Sequence, residues 1–514
     1  MVKINIDINS KTMPTDYSWQ FGLGADHAWQ FHRTDVIDQL AYAKEEIGFK
    51  SVRFHGIFND DMFTYQTLRA IAPLPKDNPV KECNFRQVAH VLDNIISTGV
   101  KPFVELSFMP AELAKGNKQG LKYKNNICPP KDYNKWAAYI KSFIEFLFER
   151  YGKDEVETWY FEVWNEPDLG IFFAGSQKDY FELYRVTAQA VKEVDEKLKV
   201  GGPSTSACKW IDEFMHFCKE NNVPLDFVST HHYPGDAFGN LITVSNYMGI
   251  AKTIMKAWKN KAPLGETLTK MFFNPKAAAS VPKGALTKMD DELLSKTKDI
   301  PTIISEWNSM AIFSVPVHDE KYSAAFAMKS VLDLNGGFKG YMFWCLSDIF
   351  EEQLQLNEPF IGGYGIMTVD GIPKPNFWAF KMLSQLYKTR LDCGFRETKD
   401  VDYAAFIDGD KVQVIVFAQT NDPDEDNSFD VEIELNGIYN EVTVQIIDND
   451  NCNPKKLWQE MGEPKNLKPC QVEEIKEKSA LKEQHHPFIA NSGLTTVKTD
   501  LRSNDIKMFT FYGE

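Results

Sequence analysis

Short apolar runs rich in β-branched and aromatic residues recur along the first three quarters of the chain. Between them lie longer stretches with apolar residues at helical spacing. The runs at 21–25, 51–56, 101–107, 158–166, 199–203, 227–233, 302–306 and 340–347 predict strands, and the stretches at 84–98, 132–151, 179–198 and 321–334 predict amphipathic helices. Eight such alternations spell an α/β architecture, the (β/α)8 TIM barrel, with Pro373-Lys374-Pro375 opening its last helix. Past about residue 388 the period changes to short alternating runs between turn residues, at 401–406, 411–418, 430–435, 441–447 and 505–511. These predict an accessory antiparallel β-sandwich. Residues 1–12 share its alternation and are expected to pair into it. The expected division is a barrel over 13–388 and a sandwich over 1–12 and 389–514, and a chain of 514 residues is long enough to need two cores. The acidic stretch 421–426 reads as a solvated turn.

Two of the barrel runs end on a glutamate in matching settings. One is Tyr160-Phe161-Glu162-Val163-Trp164-Asn165-Glu166-Pro167 and the other Pro301-Thr302-Ile303-Ile304-Ser305-Glu306-Trp307-Asn308. A parallel strand delivers its last side chains to the barrel mouth, so Glu166 and Glu306 are expected to converge there. Two converging carboxylates suit glycoside hydrolysis, one holding a proton for the leaving oxygen and the other ionised. Trp164, Asn165 and Pro167 give Glu166 the drier setting, which makes it the expected general acid/base and Glu306 the expected nucleophile. The bland reading makes Glu166 a helix-start residue and Glu306 half of a strand-end salt bridge.

Composition narrows the partners. A net charge of -15 repels phosphate backbones, and no basic stretch tracks a nucleic acid. No apolar run reaches the roughly 20 residues that span a bilayer, and Met1 to Asn9 alternate like a strand without the apolar core of a signal peptide. The eight cysteines are scattered without close pairs, which suits reduced thiols in the cytoplasm and no zinc site. The neighbours His231 and His232 point to opposite faces of a strand, so they do not share an ion.

With Trp164-Asn165-Glu166-Pro167 closing the fourth strand and Ser305-Glu306-Trp307-Asn308-Ser309 the seventh, the chain resembles the retaining glycosidases of clan A, most closely the β-xylosidases of glycoside hydrolase family 39. The resemblance runs nearly end to end. It includes Arg53-Phe54-His55-Gly56 with Asp60-Asp61, Phe108-Met109-Pro110, Pro129-Pro130-Lys131-Asp132-Tyr133, His231 with Tyr233-Pro234, and Ser347-Asp348-Ile349-Phe350-Glu351-Glu352. It implies a retaining exo-β-xylosidase that takes xylose from short xylo-oligosaccharides, acts on carbohydrate alone, and needs neither metal nor cofactor. It also implies that Asn165 binds the sugar 2-hydroxyl, that His55, His231 and Tyr233 line the same subsite, and that Glu351 and Glu352 clamp remote hydroxyls. Trp344 is expected as a subsite floor. Members of the family often associate, so a homo-oligomer belongs among the expectations.

Two departures bear on the substrate. Where the family usually carries aromatics before Pro129-Pro130, this chain has Leu121-Lys122-Tyr123, and 264–299 is longer than the resemblance implies, in the manner of a lid, an oligomer contact or a disordered insertion. The runner-up specificities are α-L-iduronidase-like, with Lys122 facing a carboxylate, and arabinosidase-like; Glu351 and Glu352 would repel a uronate. From other classes come a carbohydrate-binding protein without activity, against which both carboxylates stand, and a scaffold barrel, against which the polar strand ends stand.

Overall fold

In a computed structural model, residues 1–66, 82–234, 255, 259, 283–311, 314–352, 358–393 and 399–513 are described. The strands, numbered in chain order, begin with β1 (Val2–Ile6) and β2 (Thr12–Pro14). Eight parallel strands then close a barrel: β3 (Leu23–His27), β4 (Ser51–His55), β5 (Lys101–Glu105), β6 (Tyr160–Glu162), β7 (Lys199–Thr205), β8 (Phe227–His232), β9 (Thr302–Trp307) and β10 (Gly340–Phe343). The closing partner of β3 is β10, so the runs recognised in the sequence form one continuous ring with helices outside it.

Local chemistry sets the helix bounds. Tyr133–Tyr151 starts where the Asp132 carboxylate accepts the amides of Asn134 and Lys135, presents Trp136, Ile140, Phe143 and Leu147 to the core, and stops at Gly152, whose φ of 81° suits glycine. Gln177–Val194 opens with a capping box between Ser176 and Asp179. The helix Ala285–Lys296 falls inside the stretch expected as a lid, an oligomer contact or a disordered insertion, and overturns the last of these for its own residues. It is the ordinary barrel helix ahead of β9, tied inward by Asp290 to His232 (3.3 Å) and Tyr341 (3.2 Å). Residues 264–282 lie outside the described residues.

β6 and β10 fall furthest short of the expected runs because the chain turns at the mouth. β6 ends at Glu162, and Trp164 and Glu166 take left-handed φ values of 74° and 39°. Non-glycine residues rarely hold that conformation without support, and here the Glu166 amide donates to the Ser204 carbonyl (2.8 Å). β10 stops at Phe343, where the Asn308 amide group donates to the Trp344 carbonyl (2.5 Å).

The carboxy-terminal strands are β11 (Thr389–Leu391), β12 (Asp402–Asp408), β13 (Lys411–Phe417), β14 (Ser428–Asn436), β15 (Glu441–Ile447), β16 (Glu483–His485), β17 (Ile489–Asn491), β18 (Leu494–Arg502) and β19 (Ile506–Tyr512). They form a four-stranded sheet, β1-β14-β18-β17, and a seven-stranded one, β16-β15-β19-β13-β12-β11-β2. Ile4, Ile6, Val414, Ile433, Val444 and Phe509 bury themselves between them. The amino-terminal strand does enter the sandwich, but β1 pairs with β14 in parallel rather than antiparallel. Helices Pro454–Glu460 and Pro469–Lys478, which the alternating pattern did not predict, press Trp458 and Ile475 onto Phe360 and Ile372 of the barrel. Residues 421–426 form an irregular turn, half-buried over 421–423 and exposed over 424–426. Among the described residues no helix is long and apolar enough to cross a membrane.

Candidate active site

The mouth at the C-terminal ends of the strands is organised around Arg53, a fully buried guanidinium in the middle of β4. Its Nε donates to Glu162 (2.6 Å), Nη1 to Glu306 (2.6 Å), and Nη2 to Asn165 (2.9 Å), with Glu105 2.8 Å from Nη2. Burial alone would lower its pKa, but Glu162, Glu105 and Glu306 outweigh that and raise it. A rigid fork of five donors is the one side chain able to tie three strands' carboxylates together while staying charged.

Glu306, on β9, accepts from Arg53 through Oε1 and from the Tyr233 hydroxyl through Oε2 (2.9 Å). Burial raises its pKa and Glu166 adds to this, against the pull of His231 and Arg53. Glu166 approaches from β6's end. Its Oε1 lies 3.0 Å from His231 Nδ1, an atom that is also 3.5 Å from Glu306 Oε2. One oxygen of each glutamate and a His231 nitrogen all fall within 4.8 Å of one another. His231 sits below its ordinary 6.5 because burial, helped by Arg53, outweighs Glu306. The next residue, His232, turns to the opposite face and meets Tyr341 (2.9 Å), as the strand alternation predicted.

A small cavity of ≈ 150 Å³ opens between these groups, bordered by His55, Asn165, Glu166, Tyr233, Glu306, Trp344 and Glu352, with Leu121, Leu169, Ile171 and Phe172 opposite. Its volume is that of about five water molecules in the liquid, enough for one sugar ring. His55 is held between Glu105 (Nδ1, 2.7 Å) and Glu352 (Nε2, 3.1 Å); burial opposes its charge, but Glu105 and then Glu352 raise its pKa well above the ordinary value. Trp344 lies against His55 with ring centroids 4.9 Å apart. It also covers Gly24, where a Cβ would stand 2.3 Å from the indole, so the glycine makes room for the floor.

Seven of the nine side chains expected at the site therefore border one cavity, and the eighth, His231, stands outside its lining but touches Glu166 (3.0 Å). The ninth, Glu351, turns the other way: its carboxylate meets His27 Nε2 (3.0 Å), with Arg33 3.9 Å off, while its amide donates to Asp26 (2.7 Å). Tyr123 stacks on that His27 ring at 4.3 Å, and Lys122 is exposed. Arg53, Glu105 and Glu162 carry the electrostatics, yet the motif reading gave them no role. The usable signal was charge inside an apolar strand, in Ser-Val-Arg-Phe-His, Lys-Pro-Phe-Val-Glu and Tyr-Phe-Glu, since such residues are buried only when paired. Among the described residues, two clusters bring three metal-ligand atoms together, Glu166 with His231 and Glu306, and Asp26 with His27 and Glu351. In each, a histidine nitrogen already bridges to a carboxylate at 3.0 Å.

The profile of Glycosyl hydrolases family 39 matches residues 2–264 and 259–495. The chain is 36% identical over 493 residues to a beta-xylosidase of Caldicellulosiruptor saccharolyticus, covering 94% of this chain and 93% of that protein. It is 30% identical over 458 residues to a beta-xylosidase of Geobacillus stearothermophilus, covering 87% and 83%. Among solved structures, a GH39 beta-xylosidase from Caulobacter crescentus superposes with a TM-score of 0.77 at 26% identity, over the full length of both chains. The TIM barrel with its accessory sheets, the polar cavity and this end-to-end likeness lead to one assignment: the chain belongs to glycosyl hydrolases family 39 and is a glycosidase.

Proposed function

We propose that the chain is a retaining exo-β-xylosidase with Glu166 as general acid/base and Glu306 as nucleophile. The observation that carries this reading is the approach of the two carboxyls to within 4.8 Å, atom to atom, across a cavity sized for one sugar ring. Retention needs a separation of about 5–5.5 Å, whereas inversion needs about 6.5–9.5 Å to admit a water. In the first step Glu166 gives its proton to the glycosidic oxygen as Glu306 attacks the anomeric carbon; the glycosidic bond breaks and an ester to Glu306 forms. In the second, Glu166 takes a proton from water, the water oxygen displaces Glu306, and the sugar leaves with its original configuration. Arg53 and Tyr233 donate to the Glu306 carboxylate and favour its ionised form, offsetting the cost of burial. Asn165, His55, His231, Trp344 and Glu352 hold the ring, and Glu351 acts on it indirectly, through the placement of Glu352.

The beta-xylosidase names of the two curated relatives support xylose as the sugar. A uronate is disfavoured by the Glu352 carboxylate inside the cavity and by Lys122 lying outside it. We further propose the division into barrel (13–388) and sandwich (1–12 and 389–514), with β2 and β11 pairing at the seam, and residence in the cytoplasm, which eight free cysteines support. Rates on aryl β-xyloside, α-arabinoside, β-glucoside and α-iduronide test the specificity. The β-xyloside should be the best substrate, and faster turnover of any other would displace xylose from the proposal.

A further inference from the structure

The barrel has a second opening at its N-terminal end, where a cavity of ≈ 670 Å³ lies between the strand starts, the segment 13–18 and the loop 334–339. Its floor is aromatic. Phe103 and Phe227 are fully buried beneath it, their centroids 5.9 Å apart, while Phe21 and Tyr160 above them are only half-buried and meet edge-on at 5.0 Å. Lys50, Lys101, Lys339 and Arg390 also line the cavity against a single carboxylate, Asp16. Asp16 is already engaged, one oxygen by the Ser18 amide (2.7 Å) and the other by the Gly336 amide (2.5 Å). A fifth cation, Lys199, sits 4.9 Å over the Tyr160 ring. Lys101 pairs with Glu155 (3.2 Å) and Arg390 donates to the Leu332 carbonyl (2.5 Å), but among the described residues no carboxylate pairs with Lys50 or Lys339. On a chain of net charge -15, this end concentrates positive charge around an aromatic corner. Lys199 registers that field. Its pKa lies below the ordinary value through burial and then through Lys339, with Lys101 adding to this against the opposing pull of Asp226 and Glu157.

We propose that this N-terminal cavity binds a small flat anion, an arene bearing a carboxylate or a phosphate. The ring would sit in the corner between Phe21 and Tyr160, stacked on one and edge-on to the other, and the acid group would meet Lys50, Lys101 and Lys339. The site lies at the opposite end of the barrel from Glu166 and Glu306, so the proposal stands apart from the glycosidase reading and is measured without turnover. Titration calorimetry of the full chain with benzoate and with phenyl phosphate should give one site per chain, and the stronger of the two identifies the acid group. Inorganic phosphate and benzyl alcohol, each lacking one half of the ligand, should bind at least about tenfold more weakly. The double variant K50E/K339E, which changes only exposed side chains, should weaken the arene anions about tenfold or more and leave xyloside kinetics unchanged. Tyr160→Leu should do the same by removing the ring contact. Absence of heat from both anions, equal binding of phosphate and phenyl phosphate, or unchanged affinity in K50E/K339E would each overturn the site.

Discussion

The two ends of one barrel solve opposite problems with the same eight strands. At the C-terminal mouth, β4, β5, β6 and β9 bring Arg53, Glu105, Glu162 and Glu306 into a fully or nearly fully buried ionic network. At the N-terminal end the strands fill the bore with Phe103, Phe227, Ile303 and Met342 and leave Lys101 exposed and Lys199 half-buried. Burying an aromatic ring stabilises the fold directly, whereas burying several charges contributes little net stability and leaves each one dependent on its partners. The difference teaches where function resides: the mouth holds charges in a preorganised arrangement that a folding chain would not otherwise favour, and the apolar lower layer compensates for it.

That contrast can be broken at four points. Glu306→Gln keeps the Arg53 contact through its amide oxygen, reverses the Tyr233 bond so that the amide nitrogen donates to the hydroxyl, and removes the charge, and turnover should fall by about 10⁴-fold or more with the melting temperature little changed. Retained turnover would remove Glu306 from the nucleophile's role. Arg53→Met should act on both axes. It leaves Glu105, Glu162 and Glu306 buried without their shared cation, so chemical denaturation should show a loss of about 3–5 kcal/mol alongside the loss of activity. If stability held, the network would not be the dependent structure described above.

Phe103→Ala, in the lower layer, should cost about 3 kcal/mol of stability, by the cavity it leaves between Tyr160 and Phe227, and leave kcat and KM on a β-xyloside unchanged at a temperature where the variant is folded. A kinetic defect would show that the two ends are coupled. The smallest effect concerns pH. Burial, opposed by His27 and reinforced by Glu352, lifts Asp26 at the upper mouth from the ordinary 3.8 to about 7. Its folded pKa is raised, so the stability it contributes is fully present below about pH 4 and is lost as pH rises through 7. Asp26→Asn removes that titration. Between pH 5 and pH 8 the variant should gain about 1–2 kcal/mol relative to the parent, read as the difference of their denaturant midpoints. A difference constant with pH would exclude Asp26 as the source.

The alternation of periods made the barrel legible, because strands buried on both sides and helices with one wet face leave different spacings in the sequence. Glu166 and Glu306 were legible for a related reason: a carboxylate ending an apolar run must have a partner at the mouth. Arg53 carried the same signal in the middle of its run, but its partners come from three other strands, and no local pattern reports contacts 109 or 253 residues away. Glu351 and Glu352 look alike as neighbours in a loop, and only the positions of His27 and Arg33 decide which of them faces the cavity. The helix Ala285–Lys296 is hidden in the sequence because Gly, Pro and Ala nearby obscure its start, and because its inward anchor, Asp290, is polar.

The most direct test of the central claim, that Glu166 and Glu306 work as a closely spaced retaining pair, is proton NMR of the first-formed sugar during hydrolysis of an aryl β-xyloside, recorded before mutarotation. The account predicts that the β-anomer appears first and the α-anomer grows in later. An α-anomer formed first would contradict it, because the two carboxyls would then have to admit a water between them.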